Sequence, residues 1–181
     1  MKYNRTILLK DNRECCLRNG GEGDGQAVFE SFRLTHSQTD YLLSYPDENS
    51  YSGAQEDELL KQKSESEDEA EILALVGNMV AGTAGIEKIG AKYKVRHRAR
   101  LGISVAREFW GLGIGGALLN ACIECAKKAG YEQLELTVVA ENLRAISMYT
   151  KAGFVEYGRN PKGFKSRTAG FQELVYMRLE L

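Results

Sequence analysis

Four glycines fall within six residues, Gly111-Leu112-Gly113-Ile114-Gly115-Gly116, where a strand-like alternation gives way to a helical pattern. The first turn of a helix has unpaired N–H groups and the positive end of the macrodipole, so a glycine-rich entry to one suits a pyrophosphate. Downstream, Asn142 and Tyr149 are seven residues apart in a second helical stretch, about two turns, and so project from one face. An amide and a phenol on one helix face can bind a polar chain and donate a proton. Titratable residues able to accept one are scattered: Glu30, His36, Glu87, His97 and Glu135. None stands in a motif that singles it out as a base. Cys122 and Cys125 lie within the first helix with no partner base, so no cysteine nucleophile is expected.

Read literally, Gly111-x-Gly113-x-x-Gly116 is also the fingerprint of a nicotinamide-dinucleotide site, with Glu135 nineteen residues on as a ribose-binding acid. Three features oppose that reading. A spacer, Ala106-Arg107-Glu108-Phe109-Trp110, separates the strand from the first glycine. A hairpin precedes the unit and one helix plus a strand pair follow it, where further parallel units belong in a doubly wound fold. A glycine turn serving only tight helix packing is the simpler alternative.

The elements that must position these residues follow from periodicity. Thr6–Leu9 is a short strand, followed by a loop over 19–25 and a weakly amphipathic helix over 26–37 with Val28 and Phe32 inward. Thr39 or Asp40 caps a short helix carrying Leu42 and Leu43, which Pro46 stops. Ser52 and Gln55 form a capping box for a helix with Leu59 and Leu60 inward, while 56–71 carries eight acidic and two basic residues as a solvated face. The two residues Gly77-Asn78 join strands over 71–76 and 79–86 in a hairpin. Alternation over Tyr93–Val105 predicts a long strand with a basic row, Lys94, Arg96, Arg98 and Arg100, that is either solvated or drawn to an anion. Helices over 115–129 and 142–151 end at Gly130 and Gly153, with a strand over 134–139 between them and a closing pair over 154–157 and 171–179.

Composition narrows the class. With 181 residues and 43% apolar content, one domain over 1–181 is expected. The net charge of −1 provides no global field to gather nucleic acid or an anionic membrane, and no run approaches the ~18 to 20 apolar residues of a membrane span. A cytoplasmic location is expected. Cys15 and Cys16 are adjacent, and no small secreted scaffold surrounds Cys122 and Cys125, so the four read as reduced thiols and no metal is expected.

Ile103-Ser104-Val105-Ala106-Arg107-Glu108-Phe109-Trp110-Gly111-Leu112-Gly113-Ile114-Gly115 resembles the cofactor motif of the GCN5-related N-acetyltransferases, a strand ending Leu-x-Val and then Arg/Gln-x-x-Gly-x-Gly/Ala. Asn142-Leu143-Arg144-Ala145-Ile146-Ser147-Met148-Tyr149-Thr150-Lys151-Ala152-Gly153-Phe154 resembles that family's second signature. The resemblance covers 71–181, and residues 1–70 are the part that varies with acceptor. It implies an α/β (α+β) fold: a mixed, mostly antiparallel sheet with helices on both faces, splayed between the Tyr93–Val105 and Leu134–Val139 strands, with parallel character confined to that pair. It further implies acetyl-CoA as co-substrate and an amine acceptor, attacked directly without a covalent enzyme intermediate. Backbone groups of Ile103, Ser104 and Val105 then hold the pantetheine arm, and the amides of Gly111, Leu112, Gly113, Ile114, Gly115 and Gly116 hold the pyrophosphate. Asn142 binds the arm and Tyr149 is the acid. Trp110 replaces the motif's Arg or Gln, Thr137 replaces a base glutamate found in relatives that acetylate ribosomal proteins, and Gln172 stands where relatives often carry Asp. The base, the acceptor and homodimerisation stay open, as does a coenzyme A sensor without catalysis.

Overall fold

The computed structural model describes residues 2–181. Its strands are β1 (Asn4–Leu8), β2 (Glu14–Asn19), β3 (Ala70–Val76), β4 (Met79–Lys88), β5 (Arg98–Val105), β6 (Gln133–Val139), β7 (Val155–Ser166) and β8 (Gly170–Glu180). The helices are α1 (Gly25–Gln38), α2 (Gly53–Glu65), α3 (Ile114–Lys128) and α4 (Leu143–Lys151). All eight strands form one sheet in the order β1-β2-β3-β4-β5-β6-β8-β7, antiparallel except for β5 with β6. The expected mixed sheet with one parallel pair is observed.

Neighbouring residues of β3 show how two helical layers are built. Ile72 joins Leu118, Leu119 and Cys122 of α3 in the main core, whereas Leu73 packs with Val28 of α1 and Leu60 of α2. Successive strand residues point to opposite faces, so α3 and the α1/α2 pair lie on opposite sides of the sheet. Tyr149, Ile146 and Met148 belong to the main core, which puts α4 beside α3. The Ser52–Gln55 capping box starts α2 as expected: Gln55 N–H donates to Ser52 Oγ at 3.3 Å and Ser52 N–H to Gln55 Oε1 at 2.8 Å.

Four expectations are corrected. The strand predicted over Tyr93–Val105 begins only at Arg98, and Tyr93 is 79% exposed. β4 ends at Lys88, so residues before Arg98 face no partner strand and close into turns, with Val95 and Arg96 N–H both donating to the Lys92 carbonyl. The basic row is thereby divided: Lys94 and Arg96 sit in the turns, Arg98 and Arg100 on β5. No helix forms around Leu42 and Leu43, because Asp40 and Tyr45 are tied to the β7–β8 turn instead, through Ser166 Oγ to Asp40 and Arg167 N–H to Tyr45 Oη at 2.8 Å. β2, unforeseen, adds to the edge of β3 with Cys15 and Leu17 inward. β7 runs to Ser166 rather than Tyr157, with irregular pairing to β8 around 157 and between Asn160 and Phe164 that accommodates Pro161.

Candidate active site

The parallel register of β5 and β6 lasts three pairs, Arg98 with Gln133, Ala99 with Leu134 and Arg100 with Glu135, and then stops. Beyond Arg100 the strands part. Backbone directions identify what faces the opening. Ala106 N–H donates to Ala81 O and Arg98 O accepts from Ile89 N–H, so even-numbered residues of β5 turn toward β4. His97 O accepts from Glu132 and Gln133 N–H, so odd-numbered residues turn toward β6. Ile103 and Val105 therefore present N–H groups into the cleft with no strand to receive them. On the far wall, Leu181 N–H to Glu132 O and Ala140 N–H to Glu173 O direct even-numbered residues to β8, leaving Thr137 facing the cleft. Free N–H and C=O groups along a strand edge are a template for an amide-containing chain.

At the cleft's end a short 3-10 turn, Arg107–Phe109, leads to the glycines. Gly111 and Gly113 have φ of 85° and 104°, a conformation that strains any residue with a Cβ. Gly113 is the N-cap of α3, and a Cβ placed at Gly111, Gly113 or Gly116 meets nothing within 4 Å. The bend accounts for Gly111 and Gly113, while the open space in front of all three is room for a ligand. Ile114 is fully buried and anchors the loop from behind, and Leu112 O receives Lys10 N–H at 3.3 Å. An extended edge with free amides, ending at open glycines and a helix N-terminus, fits the amide arm and pyrophosphate of a coenzyme A thioester.

Asn142 is the N-cap of α4; its Oδ1 accepts Ala145 N–H at 3.3 Å, which leaves the Nδ2 donors unused. Tyr149 is only 8% exposed, with its ring 5.8 Å from that of Phe154. Its hydroxyl has no hydrogen-bond partner among the described residues, and burial, with a smaller push from Cys122, raises its pKa to about 12. Ser104 lies on the opposite face of β5 from the core, its Oγ 3.4 Å from Thr83 Oγ1. Trp110 was legible only as a departure from a motif. In the structure its Nε1 donates to Val105 O at 2.7 Å, and the guanidinium groups of Arg107 and Arg144 stand 5.6 and 5.5 Å from its ring. The Val105 carbonyl is thus already engaged, which leaves the N–H of Val105 and both backbone groups of Ile103 facing the cleft.

The five candidate bases separate. Glu135 is buried beneath Arg98, with Tyr157 Oη donating to it at 3.3 Å. Glu87 receives Lys63 Nζ at 2.8 Å, and that ammonium holds its carboxyl below the usual range. Glu30 is exposed and receives Gln26 Nε2. His97 lines a second cavity with Asp68, Arg96 and Tyr131, at the end of β5 away from the glycine loop. His36 stacks on Phe32 and donates from Nδ1 to the Phe32 carbonyl at 2.9 Å, leaving Nε2 free; burial holds its pKa below the usual value. The end of its helix reaches the cleft, where Gln38 Oε1 accepts Arg107 N–H at 2.8 Å. Cys15, Cys122 and Cys125 are buried thiols with raised pKa, consistent with packing. No described helix is long and apolar enough to cross a membrane.

The model of the Acetyltransferase (GNAT) family matches residues 30–154. An uncharacterized N-acetyltransferase of Methanocaldococcus jannaschii is 50% identical over 54 residues, 30% of this chain and 24% of that protein, so the match spans about a quarter of its length. A GNAT-family acetyltransferase structure from Streptococcus pneumoniae superposes with a TM-score of 0.88 at 24% identity, over 92% of this chain and 99% of that one. One from Salmonella typhimurium, solved with its cofactor acetyl-CoA, gives 0.79 at 17% identity over 92% and 94%. At these identities the structural likenesses establish the fold.

Proposed function

Because the chain belongs to the GNAT acetyltransferase family, we propose that it transfers the acetyl group of acetyl-CoA to a primary amine, of a small molecule or a protein, by direct attack in the cytoplasm. The observation that carries this reading is the unpaired β5 edge at Ile103 and Val105, which runs into the open glycines at the head of α3. Acetyl-CoA supplies an activated thioester carbonyl.

Everything else is the work of this chain's residues. The N–H groups of Ile103 and Val105 hold the arm extended, and one of them polarises the carbonyl as the amine attacks. The amides from Gly111 to Gly116 hold the pyrophosphate at the positive end of α3. Asn142 uses its Nδ2 on the arm. Tyr149, kept protonated by burial, gives its proton to the sulfur as the carbon–sulfur bond breaks. His36 Nε2 receives the proton that the nitrogen loses. The acceptor enters on the Ser104 and Thr83 face, beneath α1 and beside the turn of β7 and β8.

Incubation with acetyl-CoA and a panel of polyamines, amino acids, aminoglycosides and peptide N-termini tests the reading by mass spectrometry. Free coenzyme A and an N-acetylated amine should appear in equal amounts. Binding of coenzyme A with no transfer to any amine would instead favour a sensor.

A further inference from the structure

The second cavity lies at the closed end of the β5–β6 seam, away from the glycine loop. It encloses about 460 Å3, a volume typical of small-molecule sites. One wall is the run of turns between β4 and β5, with Arg96 and His97, and the other is the loop that follows α3, with Gly130, Tyr131 and Glu132. The two walls meet where His97 O accepts Glu132 and Gln133 N–H at 2.9 and 3.2 Å. Asp68, just before β3, and Lys88, at the end of β4, complete the rim.

Tyr131 marks this cavity as a binding site. It is only 6% exposed, yet its hydroxyl is buried with no hydrogen-bond partner among the described residues. A buried polar group without a partner costs stability and is rare in folded proteins. Burial raises its pKa to about 12, with smaller pushes from Asp68 and Glu69, so the phenol is neutral and sits on the acidic side of the cavity. The backbone adds unpaired acceptors there. Ala129, Gly130 and Tyr131 N–H turn back onto carbonyls of α3, while the carbonyls of Ala129 and Gly130 receive no N–H and stand at the negative end of that helix.

The wall divides by sign. Asp68 is approached by Lys88 Nζ only at 3.5 Å, and the exposed Glu132 carboxylate takes part in no ion pair among the described residues. These carboxylates, with the α3 carbonyls, suit an ammonium group. The Arg96 guanidinium also has no ion pair among the described residues, and it is steadied 4.6 Å from the centroid of the Tyr93 ring. A guanidinium held on a ring keeps its N–H fork free for a carboxylate. A ligand of one sign would leave half of this wall uncompensated.

We propose that the cavity binds a small zwitterion of the free amino-acid class, its carboxylate on Arg96 and its ammonium among Asp68, Glu132, the Tyr131 hydroxyl and the α3 carbonyls. The site is separate from the cleft and does not depend on the acetyl-CoA reading.

Calorimetric titration of the full chain with the common L-amino acids, one at a time, tests the assignment without turnover. At least one should bind with a Kd below about 1 mM, and its amide and its N-acetyl derivative, each lacking one charge, should bind roughly tenfold or more weakly. Arg96→Gln and Glu132→Gln should each weaken that binding by roughly tenfold. Tyr131→Phe should weaken it too, while the Tm of the free variant is no lower than that of the wild type, because the hydroxyl has no partner to lose. Coenzyme A affinity should be unchanged in all three variants, since none touches the glycine loop. No binding by any amino acid up to about 10 mM would overturn the assignment and leave the acetyl-CoA reading standing. Binding unaltered by Arg96→Gln and Glu132→Gln would overturn it as well, by placing the amino acid in the acceptor cleft.

Discussion

The Arg98 guanidinium and the Glu135 carboxylate pair across the β5–β6 seam just before the strands separate. Tyr157 donates to the same carboxylate, which is 8% exposed. The cleft therefore opens from a fixed hinge. Both carboxylate oxygens of Glu135 are thus already engaged, one by Arg98 and the other by Tyr157.

Glu135→Gln should accordingly lower stability and spare chemistry. Arg98 is about a third exposed, so solvent screening reduces the cost to roughly 1–2 kcal/mol, a fall of about 2–8 °C in Tm for a chain of this size. The kcat should stay within about twofold of wild type. A large loss of kcat at unchanged Tm would return Glu135 to the role of base.

Tyr149→Phe keeps the ring against Phe154 and removes only the hydroxyl. Acetyl-CoA affinity should hardly change while kcat falls roughly 10- to 10⁴-fold, the upper part being usual for a positioned acid. A kcat within about twofold, under conditions where single-turnover rates show chemistry to be limiting, would reduce Tyr149 to a core aromatic.

The pH profile separates acid from base. Burial lowers the folded pKa of His36, so its imidazole binds a proton less readily in the folded chain than in the unfolded one. Stability from this source is present above about pH 6.5, the unfolded value, and is lost as pH falls through and below it. His36→Gln should remove that acid sensitivity in thermal melts and should lower kcat/KM, while the wild-type rate rises with pH as amine and imidazole lose protons. Tyr149, raised to about 12, should impose no alkaline fall below about pH 11. An unchanged kcat/KM in His36→Gln would rule His36 out as base.

Gly113→Val tests the loop. At φ 104° a branched residue costs about 1–2 kcal/mol of strain, and its Cβ projects into open space rather than into the protein. Coenzyme A affinity should fall by at least about 100-fold, roughly 2.8 kcal/mol and so more than that strain imposes on folding. Wild-type affinity in a folded variant would make the loop a packing turn.

Much of this was legible in the sequence because two kinds of signal agreed. The α3 stripe of Leu118, Leu119 and Cys122 and the stop at Gly130 located the helix, and the glycines located its entry. Pairing was the hidden quantity. Alternation in Tyr93–Val105 was genuine, yet a strand needs a neighbour, and β4 had already ended. β2 had a signal, Cys15 and Leu17 at period two, masked by charged and polar flanks. The roles of Arg98 and Trp110 depend on partners thirty-seven residues away in one case and on a backbone carbonyl in the other, and neither contact leaves a local pattern.

The most direct measurement of the central claim is amide hydrogen exchange, resolved by residue, with and without saturating coenzyme A. Ile103 and Val105 N–H lack strand partners in the structure, so both should exchange quickly in the free protein and become protected on binding, together with Gly113, Gly115 and Gly116. Amides already paired to β4, such as Ala106, should change little. Tight binding of coenzyme A without protection at Ile103, Val105 and the glycine loop would place the cofactor elsewhere and contradict the account.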